Sequence, residues 1–317
     1  MGETNTNDES RSEIMNSENH ECIIIGGGIA GLQAAIQLGR YQHDVVVIDA
    51  NDGRSMLCQS YHNVLGWPNG ISGQHLREIG QKQAEALGVI FKKEKVINAK
   101  KSGNDYMLLT DQGHKYKSSR LLLATGIKDR IPIFSELQPC LGISVYICPD
   151  CDGYEIKDRH AIVLGSGNAG AGMALALTYF SEDLVYVNHE SEPINEELMA
   201  ALEEHHILCY HSSIKKVLRS NDQFQGVMLD DGTTLQANHA FVAFGGNQVR
   251  SDLARQLGVN LHHNLHIETN GRTKMTNIEN IWAAGDVTVH SEQVAIAMGD
   301  GLQAAIWIHK SILKERK

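Results

Sequence analysis

The sequence predicts an α/β protein with two three-layer nucleotide-binding units, each carrying a β-meander. Three observations carry this reading. Two glycine-rich turns, Gly26-Gly27-Gly28-Ile29-Ala30-Gly31 and Gly165-Ser166-Gly167-Asn168-Ala169-Gly170, each follow an apolar run of buried-strand type. Each turn leads into a helical stretch and then a second apolar strand, Asp44 to Ile48 in the first copy and Leu184 to Val187 in the second. Short strands follow in both copies and end in Ala124-Thr125-Gly126 and in Phe244-Gly245-Gly246. A layout that repeats at this scale is an internal duplication of Rossmann-like type.

The composition agrees. The chain has 317 residues, enough for about two domains, and 42% of them are hydrophobic. Thirty glycines against five prolines suit an α/β fold with many tight turns. A net charge of −10 argues against a nucleic-acid partner. No apolar run is long enough for a transmembrane helix, and the acidic, polar start has no signal-peptide character. The six cysteines lack the spacing of a secreted disulfide framework, so a cytoplasmic protein is expected. Residues 1–20 hold five acids, one arginine and little that is apolar, and are expected to be a disordered tail. Met1-Gly2 with Thr6 matches a myristoylation pattern only superficially, because Glu3 adjoins the glycine.

In chain order, Cys22 to Ile25 is the first strand and Leu32 to Gly39 lie on the first helix. Asp49 ends the next strand, about twenty residues after the glycines, as a dinucleotide fingerprint requires. There the glycines let a pyrophosphate approach the helix N-terminus, and the acid accepts from a ribose. Residues 51–70 read as a long functional loop and Ile71 to Leu87 as a helix. Strands follow at Phe91 to Ala99, Tyr106 to Thr110 and Lys115 to Leu123, with a turn at Asp111-Gln112-Gly113. In the second copy a helix over Ala171 to Phe180 and a meander from about Ile207 to Ala243 are expected. Asn280 to Ala284 is a strand ending in Gly285-Asp286, and Glu292 to Leu313 is a helix rich in small residues.

Between the two fingerprints stands Cys148-Pro149-Asp150-Cys151-Asp152-Gly153. A Cys-x-x-Cys pair often has one thiol with a lowered pKa, and exchange needs one sulfur to attack and one to resolve. The carboxylate directly after it can move the proton. A zinc site would need a second ligand pair, for which Cys140 or a histidine is poorly spaced, so no metal is expected.

The order of these motifs, closing with Ala283-Ala284-Gly285-Asp286-Val287 and Gln293-Val294-Ala295-Ile296-Ala297, resembles the low-molecular-weight thioredoxin reductase family of flavoproteins from residue 21 onward. The resemblance implies an FAD-binding domain from residues 21–128 and 247–317, with residues 129–246 inserted as an NAD(P)H-like domain carrying the dithiol. Gly26, Gly28, Ala30, Gly31 and Asp49 would hold the ADP half of FAD. Gly53, Arg54, Ser55 and Asn63 would lie in a loop at the flavin, and Val96 would meet the adenine. Ala124, Thr125 and Gly126 would close over the cofactor. Gly285 and Asp286 would reach the ribitol, and Gln293 and Val294 the flavin ring. Cys151 would face the flavin, Cys148 would attack the partner disulfide, and Asp152 would be the general acid or base. The family is usually homodimeric.

The chain departs from that pattern in two places. Where NADPH-using members carry an arginine pair for the 2′-phosphate, it has Asn188-His189-Glu190, and the nearest basic residues downstream are Lys215 and Lys216. An acid for the ribose of NADH is missing too, so the second fingerprint is expected to bind NADH weakly or no dinucleotide. Gly53-Arg54-Ser55 and Ser291-Glu292-Gln293 also differ from the usual flavin-side residues, and Tyr61 to Gly66 is more like dithiol oxidases that use oxygen. The expectation is therefore an FAD-dependent disulfide reductase with an atypical donor, acting on a thioredoxin-like protein or a small disulfide. A dithiol oxidase using oxygen, a ferredoxin-driven reductase and a flavin-bearing redox sensor are the alternatives. His62 and His290 are candidate proton carriers but more naturally structural, and Cys58 reads as a packing residue rather than a third redox thiol.

Overall fold

A computed structural model describes residues 18–132 and 134–316. The myristoylation pattern and most of the expected tail lie outside these residues. The described chain divides into two compact units. One takes in the residues up to Ser55, Leu76–Lys128 and those from Val249; the other takes in Met56–His75 and Asp129–Gln248.

The first unit is organised on a five-stranded parallel sheet. Cys22–Ile25 lies at its centre, between Val45–Ile48 and Leu121–Leu123, with Ile90–Lys92 and Ile281–Ala283 at the edges. All but the half-exposed edge strand Ile90–Lys92 are continuous apolar runs, because both sheet faces are covered. On one face the helices Ile29–Arg40 and Val294–Glu315 pack through Ala30, Ala34, Ala35, Ala304, Ala305 and Ile308. A methyl added at Gly301 would run into the Ala30 carbonyl, so the small-residue face of the long helix serves close helix packing. The other face is covered by the meander Val96–Ser102, Asp105–Thr110 and Lys115–Ser118.

The second unit repeats the plan. Its parallel sheet has the order Val145–Tyr146, His239–Ala243, Ala161–Gly165, Leu184–Asn188, Leu208–Tyr210. The helix Gly167–Leu177 follows the central strand, and the antiparallel meander is Ile214–Ser220, Gln223–Leu229 and Thr234–Gln236. In both units the strand leaving the meander returns beside the fingerprint strand. The α/β class with two Rossmann-like units is therefore the observed one.

Several boundaries differ from the sequence reading. Glu18–His20 is a strand rather than tail: it pairs in parallel with Tyr116–Ser118, and the buried His20 bonds Asp44 at 3.0 Å. The expected strand Phe91 to Ala99 is two strands in two sheets, Ile90–Lys92 and Val96–Ser102, because the intervening backbone turns to let Glu94 N–H reach the Asp49 carbonyl. Lys115 to Leu123 splits in the same way. The second meander is shorter than expected, since Leu208–Tyr210 and His239–Ala243 belong to the parallel sheet. The helices expected over Ile71 to Leu87, Ala171 to Phe180 and Glu292 to Leu313 run over Gly73–Glu85, Gly167–Leu177 and Val294–Glu315.

Candidate functional site

Cys148 is the N-cap of a one-turn helix, Pro149–Asp152, with Pro149 at its first position. Its backbone is extended, and its Sγ accepts from the Cys151 N–H at 3.2 Å. The spacing thus places both sulfurs on one side of a tight turn. They form a disulfide, with Cα atoms 5.3 Å apart. The next turn, Gly153–Ile156, starts from Asp152. Gly153 lies against the Phe180 ring, where a methyl would collide. Burial, with the Glu155 charge beside it, pushes the Asp152 carboxyl up to about 7. Half of such groups carry a proton at neutral pH, as a thiol acid–base catalyst needs.

The other cysteines are unlike this pair. Burial pushes Cys58 and Cys22 up to about 12 and Cys209 up to about 11, and raises Cys140. Cys58 donates to the Ser60 carbonyl at 3.3 Å, and the nearby Asp152 charge further disfavours its thiolate. His62 lies between Ser60 Oγ at 3.1 Å and Glu155 Oε1 at 3.6 Å. Among the described residues no three metal-ligating side chains gather.

The first fingerprint is an open cradle. Gly26 has φ +106 and sits against the Ala124 carbonyl, and Ala124 N–H bonds the Ile25 carbonyl at 2.9 Å. Gly31 fits under the Gly26 carbonyl, and Ala30 lies under Gly285. At Gly28, the N-cap of the helix Ile29–Arg40, an added methyl would meet none of the described residues within 4 Å. Asp49 lies over Gly27, where a methyl would come within 3.0 Å of its carboxylate. Thr125 Oγ1 bonds the Arg250 carbonyl at 2.6 Å, and Arg250 N–H returns to the Gly126 carbonyl at 3.0 Å. Val96 is buried two residues beyond Glu94, whose N–H is tied to Asp49. Gly53 and the buried Ser55 lead into the turn Arg54–Met56. Arg54 pairs with Glu292 and bonds Asp286 Oδ2 at 3.1 Å. Burial and Glu292 raise the Asp286 carboxyl against that arginine. Gln293 caps, and Val294 begins, the 22-residue helix. Asn63 is exposed and falls with Met56–His75 in the second unit.

Two arginines of this cradle escaped the sequence reading. Arg77 is buried, and its Nη2 bonds both Asp49 Oδ2 at 2.6 Å and Asn51 Oδ1 at 2.9 Å. Its Nη1 is buried without a hydrogen-bond partner among the described residues, 3.1 Å from where a Gly53 methyl would be. Arg250 clamps Asp52 at 2.5 Å. Neither stands in a motif, and no local signal marks them. The open space at Gly28, the acid at Asp49 and the uncovered helix start fit the ADP half of a flavin dinucleotide.

The second fingerprint has the same glycines in different surroundings. Gly167 is buried, with φ +50, and an added methyl would come within 3.1 Å of Glu192 Cβ and 3.2 Å of the Pro193 carbonyl. Its N–H donates to Asn188 Oδ1 at 3.0 Å. Glu190 pairs with Arg130, a basic residue that lies far upstream in the sequence.

His290 donates from one ring nitrogen to the Ser291 carbonyl at 2.8 Å and pairs through the other with Asp300 at 2.6 Å. Lys274 reaches the same buried aspartate at 2.6 Å. With both nitrogens held, His290 is a clasp at the start of the long helix rather than a free proton carrier.

The family model for pyridine nucleotide-disulphide oxidoreductases matches residues 20–301. The chain is 30% identical to a thioredoxin reductase of Treponema pallidum (strain Nichols), over 90% of this chain and 95% of that one. It is 28% identical to a bifunctional thioredoxin reductase/thioredoxin of Mycobacterium leprae (strain TN), covering 90% of this chain and 64% of that protein. A crystal structure of a putative thioredoxin reductase from Bacillus anthracis superposes with a TM-score of 0.80 at 26% identity, covering 94% of this chain and 100% of that one. No described helix is long and apolar enough to cross a membrane. A redox dithiol with its carboxyl, an open dinucleotide cradle and these likenesses make the chain a member of the pyridine nucleotide-disulphide oxidoreductase family, of the low-molecular-weight thioredoxin reductase-like kind, and an FAD-dependent disulfide oxidoreductase.

Proposed function

We propose that this protein passes electrons between FAD in the first unit and the Cys148–Cys151 dithiol of the second, reducing a thioredoxin-like protein or a low-molecular-weight disulfide with an electron donor other than NADPH. The observation that carries the reading is the closed Cys148–Cys151 disulfide beside an Asp152 carboxyl raised to about 7.

FAD, when bound, supplies the two electrons that open the disulfide. Gly26, Gly28 and Gly31 would admit its pyrophosphate and Asp49 its ribose, while Asp286, Gln293 and Val294 would serve the flavin half. The Cys148 thiolate attacks one sulfur of the substrate disulfide, forming a mixed disulfide and expelling a thiolate. Asp152 donates the proton that thiolate takes up. Cys151 then attacks Cys148, expels the second thiolate and restores the internal disulfide, so two electrons leave with the substrate. The relatives named as thioredoxin reductases support a thioredoxin-like partner, and the family resemblance supports a homodimer.

Cys148→Ser should abolish disulfide turnover and leave FAD bound, and unchanged turnover would sink the mechanism. Flavin bleaching by small dithiols under anaerobic conditions, with peroxide formed on admitting air, would favour the oxidase direction. Light scattering tests the dimer.

A further inference from the structure

The two fingerprints of this chain are an internal comparison. In both, the second glycine is where a pyrophosphate meets the backbone. At Gly28 that space is open; at Gly167 it is filled by Glu192 and Pro193 of the same chain. We infer that the segment following Asn188, residues 189–195, is a built-in plug over the second fingerprint, and that this unit takes no pyridine dinucleotide.

The plug is laced at several points. The fully buried Asn188 uses Oδ1 to accept from Gly167 N–H and Nδ2 to donate to the Glu192 carbonyl at 2.8 Å. One of the N–H groups that an anion would recruit is thereby spent within the chain. Asn195 N–H bonds Asn168 Oδ1 at 2.8 Å, fastening the far end. His189 N–H reaches the Gly165 carbonyl at 2.9 Å. The His189 ring turns inward, with Phe134 and Phe244 at its edges, and its Nδ1 accepts from Ile214 N–H at 2.7 Å. A ring nitrogen that accepts is unprotonated, so this residue offers no cation.

Charge acts in the same sense. Glu190 puts a carboxylate at the fingerprint, bonded to the Ser166 hydroxyl and paired with Arg130, a guanidinium that is thereby engaged within the chain. That pair is near the surface and contributes little to stability, so closure rests on the backbone and on Asn188.

This deepens the donor part of the proposed function and is independent of the dithiol exchange. Holoenzyme and a Glu190→Ala variant are each mixed anaerobically with NADPH or NADH at about 1 mM, enough to half-fill even a millimolar site. Flavin absorbance and hydrogen exchange of the Gly167 to Gly170 amides are followed. The plug predicts no bleaching and no added protection in either protein. Bleaching or protection in the wild type overturns it, and either response in Glu190→Ala alone shows closure to be electrostatic and overturns the steric plug. In parallel, the flavin of the same preparation is photoreduced and thiols are titrated. Failure to open Cys148–Cys151 there would count against the proposed function and leave the plug standing.

Discussion

At the scale of single residues, the chemistry is concentrated in a carboxyl rather than in the sulfurs alone. Burial and Glu155 place Asp152 at about 7, so it is protonated below that pH and able to supply the departing thiolate. Disulfide reduction should fall as pH rises through this value. In Asp152→Asn the inflection should vanish, and kcat/KM at about pH 6 should drop about 100-fold. A pH profile with a small disulfide substrate checks both. Alkylation gives a second test. After mild reduction, iodoacetamide at neutral pH should label Cys148 and Cys151 within minutes and leave the other four cysteines unmodified until the protein unfolds, as mass spectrometry would read. The dithiol and its acid were legible in the sequence because they are adjacent there. Cys58 was legible as a packing residue, but what holds its thiol protonated was not: burial first and then the Asp152 charge, set by tertiary contacts such as Gly142, whose added methyl would come within 2.8 Å of the Cys58 sulfur.

At the scale of elements, the glycines of one motif divide into two kinds. Gly31 is needed for packing, because a side chain there meets the Gly26 carbonyl, whereas Gly28 faces open space. Gly31→Ala should destabilise the FAD-free protein by about 1–3 kcal/mol in a denaturant titration. Gly28→Ala should leave that stability within about 0.5 kcal/mol and weaken FAD binding. The clasp at the start of the long helix has its own pH window. The Asp300 hydrogen bond raises His290 above 6.5, so its contribution is complete below that value and fades as pH climbs through the raised one. For Asp300 burial works upward but is outweighed by His290 and Lys274, so its carboxyl lies below 3.8 and its contribution is lost only as pH falls further. The Tm gap between wild type and His290→Gln should therefore be widest between those two values and close in alkali. Strand and helix identities followed from apolar periodicity, while their ends did not. Lys93 to Lys95 and Ser119-Arg120 carry no breaker residue, yet the chain changes sheets at both.

At the scale of the whole molecule, one plan is used twice with one dinucleotide seat open and the other filled. Ligand linkage should show the asymmetry. FAD at about 100 times its Kd should stabilise the first unit by about 2.7 kcal/mol, and NADPH at millimolar level should add nothing measurable. Calorimetry of FAD-stripped protein checks both arms. The duplication itself was legible because glycine spacing and strand order recur along the sequence. The filling of the second seat was only partly so: Asn188 to Glu190 announced missing phosphate ligands, but the placement of Glu192 and Pro193 over Gly167 is set by tertiary contacts. The grouping of Met56–His75 with the dithiol unit was hidden for the same reason. It depends on bonds such as Gln59 N–H to the Leu141 carbonyl at 3.0 Å, between segments far apart in sequence.

The hydrogen bond from Cys151 N–H to the Cys148 sulfur has a spectroscopic consequence. That amide proton points at the atom whose charge and bonding change in every half-reaction. When the disulfide opens to a Cys148 thiolate, the bond becomes charge-assisted and shortens. When Cys148 enters a mixed disulfide, the bond weakens. A protein labelled with 15N at Cys151 would therefore report oxidised, reduced and substrate-linked states as three amide resonances, a native indicator of turnover that needs no dye.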